Sequence, residues 1–184
     1  NVHHGAVSDS TIHGFFATAG KGAEKVLEDE ISALGGAATT IRTADVAFEV
    51  PLELGYRVLV WSRTASRTHL VLSRFEARTP DELYEGARQV PWLDHVRAAG
   101  TLAVDCTSTR SPITHTGFAA LRVKDAVVDV IRDRTGKRPS VTNDRPDVRI
   151  NVHLEGAQAV VAVDLAGEGM HHRGYRTETG EAPL

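Results

Sequence analysis

The strict alternation of apolar and polar side chains over residues 148–155 is the sequence feature that most constrains the fold. Alternate residues of an extended strand point to opposite sides, so one side of this segment is wholly apolar and the other is polar. Gly156 follows, and residues 159–165 form a second apolar run. This pattern predicts two strands joined by a tight turn, with one face of the pair buried. The apolar positions on that face are Val148, Ile150, Val152 and Leu154.

The first part of the chain predicts the element order of a split ferredoxin-like sandwich. Its apolar periodicity indicates a strand, a helix, two strands, a helix and a strand. We expect these elements at residues 15–19, 23–34, 39–43, 46–50, 52–62 and 68–75. Gly35 and Gly36 end the first helix. In the second helix, Leu54, Val58 and Trp61 are expected to face inward.

A second unit begins near Thr79, where the sequence carries a helix start. Thr79 is the expected N-cap, Pro80 lies in the first turn, and Glu82 follows three residues after the cap. The helix should run to about Val90, and a short helical stretch should follow Trp92. The remaining expected elements are a strand at residues 101–107, a loop, a long helix at 116–134 closed by Gly136, and the final strand pair.

The N-terminal segment and the single cysteine bear on the cellular compartment expected for this chain. Residues 1–13 are polar and lack periodicity, so we expect a disordered leader or a remnant of expression. There is no signal-like segment and no apolar run near the roughly 18 residues of a membrane span, which favours a cytoplasmic protein. Cys106 has no cysteine partner, and its position in the strand at 101–107 predicts a buried thiol.

The charge distribution points to one basic segment within an acidic chain. The formal net charge is -3, which argues against a protein that coats nucleic acid through bulk charge. Residues 110–138 nevertheless hold seven basic and three acidic side chains. Only four of the 21 basic residues are lysines, and an excess of arginine suits bidentate contacts with phosphate.

Four residues of this basic segment are the best candidates for phosphate contacts. Arg110 follows hydroxyl residues in the expected loop 107–111, although small hydroxyl residues are also common in ordinary turns. Lys124 lies off the polar stripe of the long helix, and Lys137 and Arg138 lie just beyond its end. Solvated surface is the alternative for all of them. The polar stripe itself is expected to be ordinary solvated surface, formed by Arg122, Asp125, Asp129, Arg132 and Asp133.

No segment of the sequence predicts a catalytic, metal or cofactor site. Lys21 between two glycines lacks the spacing of a phosphate-binding loop, and the adjacent His171 and His172 have no further ligand at a recognisable spacing. We find neither a glycine-rich cofactor turn after a strand nor a polar-Pro-Pro-aromatic loop that could grip a base amine. Any catalysis by the parent protein is therefore expected outside this chain.

Several segments, in this order, resemble the N-terminal region of bacterial large-subunit (23S) ribosomal RNA guanine-N2 methyltransferases. They are residues 16–22 (FATAGKG), 61–67 (WSRTASR), 123–129 (VKDAVVD), 145–152 (RPDVRINV), 164–169 (DLAGEG) and 173–176 (RGYR). The resemblance implies an α+β chain in which a ferredoxin-like α/β sandwich at residues 14–76 precedes a THUMP domain at residues 77–168. It also implies a linker at 169–184 toward a Rossmann-like catalytic domain that uses S-adenosylmethionine.

In this family the THUMP domain is taken to hold structured RNA for the catalytic domain, and the resemblance implies that this RNA is large-subunit rRNA. The resemblance therefore implies an RNA-binding role for the basic residues of the matched segments. These residues are Arg63, Arg67, Lys124, Arg149, Arg173 and Arg176. Arg149 could instead only decorate its strand. From the residues alone we expect no membrane or metal partner. Two other functions stay open: a THUMP module of a tRNA thiolation or methylation enzyme, and a ferredoxin-like interaction domain without RNA binding.

Overall fold

The computed structural model describes residues 11–36 and 38–166, which fall into two compact units. The first unit extends to Val71 and the second begins at Leu72. Within the described residues, no helix is long and apolar enough to cross a membrane.

The first unit contains an antiparallel sheet and two helices. Its elements are β1 (Ile12–Thr18), α1 (Glu24–Ala33), β2 (Ala38–Arg42), β3 (Asp45–Pro51), α2 (Leu52–Trp61) and the first part of β4 (Arg67–Glu76). The strands lie in the order β2, β3, β1, β4, and all neighbours are antiparallel. Strand β1 begins at Ile12, so Ile12 and His13 pair with β3 and do not belong to a disordered leader. Residues 1–10 of that expected leader lie outside the described residues.

The core of the first unit is built on Phe15. Its ring is fully buried and stacks on Phe48 with a centroid distance of 5.5 Å. Gly55 of α2 makes this packing possible, because a Cβ at that position would lie 2.1 Å from Cζ of Phe15. Leu27 and Ile31, one helical turn apart on α1, are also fully buried.

One expected core residue of the first unit is exposed. Val58 of α2 is buried as predicted, but the prediction that Trp61 faces inward is wrong, since 70% of its surface is exposed. Helix α2 ends at Trp61, and Ser62 adopts an extended backbone, so the indole lies at the last helical position, where the following chain turns away. Periodicity assigned this residue to the inner face without allowing for the end of the helix.

The second unit contains helices and a mixed sheet. After β4 come α3 (Pro80–Arg88), a short 3-10 helix (Trp92–Asp94), β5 (Thr101–Thr109), α4 (Thr116–Thr135), β6 (Ser140–Val141), β7 (Val148–Glu155) and β8 (Gln158–Asp164). Strand β5 pairs in parallel with both β6 and β7, and β7 pairs antiparallel with β8. The four apolar residues predicted for the inner face of β7 are buried, which confirms the hairpin.

The ends of the helices in the second unit follow from local chemistry. Glu82 donates its amide N–H to Oγ1 of Thr79 at 3.2 Å, and Oε2 of Glu82 accepts the amide of Arg78 at 2.7 Å. This reciprocal pairing confirms the predicted start of α3. Helix α4 ends at Gly136, whose φ of 70° is the left-handed conformation that glycine adopts readily.

Two expectations for β5 are corrected. The segment 107–111 was expected to be a loop that follows a strand ending at Thr107, but Ser108 and Thr109 continue the strand because they pair with β7. Cys106 was expected in the core, yet it is only half-buried, because the fully buried part of β5 is limited to Leu102 and Ala103. This partial burial still raises the pKa of the thiol to about 11. The short strand β6 was not predicted, since two residues carry no periodicity.

Candidate nucleic-acid interface

The turn between α2 and β4 presents the first two predicted contact residues. Arg63 and Arg67 are both exposed, and Arg67 is the first residue of β4. The structure shows no hydrogen bond or ion pair of the Arg63 guanidinium with any described residue, so this cation is available to a ligand. Only the amide of Arg63 is engaged, and it donates to Glu30.

Glu30 of α1 fixes the backbone of this turn. Its Oε2 accepts hydrogen bonds from Oγ of Ser62 at 2.6 Å and from the amides of Arg63 and Thr64 at 3.2 Å each. Oγ of Ser62 in turn accepts the amide of Ala65 at 3.0 Å. The bond from Ser62, assisted by those of Thr64 and Arg63, lowers the pKa of the Glu30 carboxyl. The carboxylate therefore holds the turn in one conformation at neutral pH.

Two predicted contact residues of the second unit already have carboxylate partners. Arg110 follows β5 with a positive φ of 49°, and its guanidinium contacts Glu155 at 3.3 Å. Lys124 lies in the middle of α4, where only 18% of its side chain is exposed, and it pairs with Asp125. A cation that is already paired has less to gain from a phosphate, so these two positions are weaker candidates than the sequence suggested.

Lys137 and Arg138, by contrast, lie in an exposed segment after α4 and have no side-chain partner among the described residues. Two further exposed arginines also have no side-chain partner among the described residues: Arg134 in the last turn of α4 and Arg145 before β7. We call these four residues the basic rim. One exposed carboxylate, Asp144, lies among them without an ion-pair partner in the described part of the chain.

The register of the parallel strands places the basic rim at one end of the sheet. Strands β5, β6 and β7 are parallel, with Thr101 opposite Ser140 and Leu102 opposite Val148. The three strands thus begin side by side, and neighbouring strands lie about 4.8 Å apart. Arg138 comes two residues before β6, and Arg145 comes three residues before β7. Their backbones therefore lie at the same end of the sheet, where the three parallel strands begin.

Two sets of contacts hold the segment that carries Arg145: a part-buried pair between Asp147 and Thr101, and exposed hydrogen bonds of Arg149. Oδ2 of Asp147 accepts the amide of Thr101 at 2.9 Å, and the amide of Asp147 donates to Oγ1 of Thr101 at 2.9 Å. The guanidinium of Arg149 donates to Asp105 at 2.8 Å and to the carbonyl of Asn143 at 3.1 Å. Arg149 is thus engaged in holding its own loop, which makes a structural role the simpler account of that residue.

The charged stripe of α4 was expected to be ordinary solvated surface, but several of its side chains contact α3. Arg122 pairs with Asp81 of α3 at 2.9 Å and lies over the ring of Tyr84 at 4.4 Å from its centroid. The hydroxyl of Tyr84 donates to Asp129 at 2.7 Å, and Asp129 also pairs with Arg132 at 2.8 Å. These residues join α4 to α3, so their charges serve the packing of the two helices.

The predicted contact residues do not form one contiguous surface. Arg110 lies beyond the end of β5, whereas the basic rim lies where β5 begins. A strand of that length spans about 26 Å at roughly 3.3 Å per residue. Arg173 and Arg176, together with His171 and His172, lie outside the described residues. Among the residues that the structure describes, no group of three or more His, Cys, Asp or Glu side chains could hold a metal ion.

Sequence reasoning missed part of the candidate interface. Arg134 and Arg145 were not among the predicted contact residues, because nothing in the sequence tells a paired arginine from an unpaired one. A second signal was present but unused: residues 54–75 contain four arginines and no acidic residue. Three of these arginines, Arg57, Arg63 and Arg67, belong to the first unit, and Arg57 is paired with Glu53.

Comparison with known protein families assigns a domain to each part of the chain. Residues 14–69 match the family described as RlmL ferredoxin-like domain. Residues 77–164 match the THUMP domain family. The predicted fold class, a ferredoxin-like α/β sandwich followed by a THUMP domain in an α+β chain, is thereby confirmed.

The chain is also similar to longer proteins. It is 50% identical over 170 residues to the ribosomal RNA large subunit methyltransferase K/L of Syntrophotalea carbinolica, a match that covers 92% of this chain and 24% of that protein. The chain spans about a quarter of the length of the curated relatives that it matches.

Two solved structures show the same architecture. One is a predicted N6-adenine-specific DNA methylase from Listeria monocytogenes, with 27% identity and a TM-score of 0.73, covering 95% of this chain and 46% of that one. The other is SMU.472 complexed with SAH, with 26% identity and a TM-score of 0.73, covering 91% of this chain and 45% of that one.

Proposed function

We propose that this chain, a ferredoxin-like domain followed by a THUMP domain, is the RNA-binding N-terminal module of an S-adenosylmethionine-dependent methyltransferase that modifies guanine N2 in large-subunit rRNA. The module positions structured rRNA for a catalytic domain outside these 184 residues. The cofactor belongs to that catalytic domain, and the protein acts in the cytoplasm. We assign residues 14–76 to the ferredoxin-like domain, 77–168 to the THUMP domain and 169–184 to a linker.

The basic rim is the observation that carries this proposal. Its four cations are exposed and unpaired among the described residues, whereas Arg122 and Arg132 of α4 and Arg149 of β7 are tied to carboxylates. A cation without a carboxylate partner can neutralise a phosphate and release its condensed counterions, which is the main source of affinity for nucleic acid. Arg138 and Arg145 also lie on segments that the sheet and Asp147 hold in place. The rim is therefore a preorganised site for the backbone of a structured RNA.

The similarity to the methyltransferases gives the rest of the proposal its support. The named relative acts in the modification of large-subunit rRNA, and one structural neighbour was crystallised with SAH, the product of S-adenosylmethionine after methyl transfer. Guanine N2 as the acceptor comes from the family resemblance of the segments in the sequence. The full-length protein tests it directly, because mass spectrometry of rRNA from a deletion strain should lack N2-methylguanosine at a site that the wild-type gene restores. Loss of a different modified nucleoside would refute this assignment.

RNA binding by the module is tested by titrating the chain with a fluorescein-labelled fragment of large-subunit rRNA over a range of salt concentrations. The double variant Lys137→Gln with Arg138→Gln should bind on the order of 30-fold more weakly at about 0.1 M salt, because two phosphate contacts are lost. The slope of log K against log salt should become shallower by about 1.4 to 1.8. Arg134→Gln with Arg145→Gln should act in the same direction.

Arg110→Gln is the matched control, since it removes an exposed arginine that already contacts Glu155 at the far end of β5. Its affinity and salt slope should stay close to wild type. If the control weakens binding as much as the double variant does, the rim is not the site. A chain that binds no structured RNA at low salt would overturn the RNA-binding proposal itself.

A further inference from the structure

The two tryptophans of the chain have opposite environments. Trp92 is fully buried, and its Nε1–H donates to the carbonyl of Ala87 at 2.7 Å. Trp61 is 70% exposed, and the preceding Val60 is equally exposed. The indole is the largest apolar side chain, so a ligand that covers an exposed one gains a large free energy of burial.

The backbone beside Trp61 is held before any ligand arrives. The next three residues of the turn donate to a single oxygen of Glu30, from Oγ of Ser62 and from the amides of Arg63 and Thr64. The backbone of this turn is already ordered, so binding a ligand there costs little conformational entropy. More of the contact free energy then appears as affinity. The arrangement is typical of a binding surface more than of a mobile connection.

The charge around the turn favours an anionic ligand. From residue 54 to residue 75 the sequence holds no Asp or Glu. Glu30 contacts the turn through Oε2, and this oxygen already accepts three hydrogen bonds from the turn. The Arg63 guanidinium is exposed and has no partner among the described residues. An aromatic face and an uncompensated cation thus lie two residues apart on one rigid turn.

We propose that Trp61 is a stacking platform for an unpaired nucleobase of the RNA, with Arg63 contacting the phosphate next to that base. Bases within a duplex have their faces covered by their neighbours, whereas an unpaired base offers its face to an aromatic ring. The inference rests on the proposed RNA-binding function and deepens it. The ferredoxin-like domain then recognises a single-stranded element, and the basic rim of the THUMP domain contacts backbone phosphates.

Intrinsic fluorescence reports this contact, because Trp92 is buried and serves as an internal reference. The wild-type chain is titrated with oligouridylate and with a fully paired RNA duplex, and affinity is measured in parallel with labelled RNA. Oligouridylate should quench the emission of Trp61, and the duplex should not. Trp61→Leu should remove the quenching and weaken oligouridylate binding about tenfold, which corresponds to ~1.4 kcal/mol. Trp61→Phe, which keeps an aromatic face, should recover most of the affinity.

Val60→Thr is the matched control, since it changes an equally exposed neighbour without removing an aromatic ring. Equal weakening by Val60→Thr and Trp61→Leu would overturn stacking in favour of a general apolar contact, such as one with another protein. Binding that is unchanged in Trp61→Leu but lost in the basic-rim variants would overturn this inference and leave RNA binding intact. Absence of binding in the wild-type chain would refute the proposed function instead, so the two failures are distinguishable.

Discussion

Replacing Glu30 by alanine should loosen the turn that carries Trp61 and Arg63 and destabilise the first unit by about 2 kcal/mol. The estimate comes from the three hydrogen bonds that Oε2 of Glu30 accepts at 2.6, 3.2 and 3.2 Å. Bonds to a charged acceptor contribute roughly 1.5–3 kcal/mol each when shielded, but this turn is partly open to water. Water can replace the lost acceptor, so we count each bond at roughly 0.7 kcal/mol.

Glu30→Gln separates the charge of the side chain from its shape. The amide oxygen can still accept from the turn, so the cost should stay below about 1 kcal/mol. The pKa of Glu30 is lowered in the folded chain from its ordinary value of 4.5, so the ionised form is the one that stabilises the fold. This contribution is present above pH 4.5 and is lost as the pH falls through the folded value. The stability difference between wild type and Glu30→Gln should therefore shrink as the pH falls below 4.5.

Urea unfolding followed by circular dichroism gives the free energies, and amide hydrogen exchange reports on the turn itself. In Glu30→Ala the amides of Arg63 and Thr64 should exchange faster than in wild type. Glu53→Ala is the control, because Glu53 makes an exposed ion pair with Arg57 at 3.1 Å that should contribute less than about 0.5 kcal/mol. If Glu30→Ala destabilises no more than Glu53→Ala and leaves both amides protected, the carboxylate does not hold the turn.

Three further predictions test the packing and the support of the site. Gly55→Ala should destabilise the first unit by about 1–2 kcal/mol in urea unfolding, because the new methyl would lie 2.1 Å from the buried ring of Phe15. The cost of this clash exceeds the gain in helix propensity, and adding Phe15→Leu should relieve it. The Cys106 thiol, with a pKa raised to about 11 by burial, should react slowly with a disulfide reagent at pH 8 and rapidly once unfolded in urea. Asp147→Ala should weaken RNA binding several-fold while Arg149 stays in place, since it removes the carboxylate that accepts the amide of Thr101 and helps to hold the rim; unchanged affinity would contradict that support.

The fold could be predicted from the sequence where local chemistry decides it. The alternation on β7, the cap at Thr79 and the glycine after α4 all act over a few residues, and each lies where expected. The misplaced elements depend on distant partners. Thr109 is in a strand because Glu155 of β7 pairs with it, and the short β6 exists only because β5 lies beside it.

The candidate site was harder to predict than the fold, because a cation can bind phosphate readily only if no carboxylate of the chain already pairs with it. Lys124 and Arg110 were as promising in the sequence as Lys137, yet each of the first two has a carboxylate within contact distance. Trp61 was assigned to the core because its spacing from Val58 fits a helix face. Only the end of α2 and the turn that follows show that its indole is exposed.

The division between paired and unpaired cations also bears on how the chain binds RNA despite a net charge of -3. A guanidinium such as that of Arg122 or Arg132 already has its charge compensated by a carboxylate within 2.9 Å, so it neutralises less phosphate charge and releases fewer of the cations condensed on the RNA. The salt slope of RNA affinity should therefore follow the number of unpaired cations at the site and not the count of basic residues. Acidic residues elsewhere on the chain reduce long-range attraction, which is screened over about 10 Å at 0.1 M salt. An acidic protein can therefore bind RNA specifically through a few fixed cationic side chains and one aromatic ring. Neither kind of contact requires the whole protein surface to be positively charged.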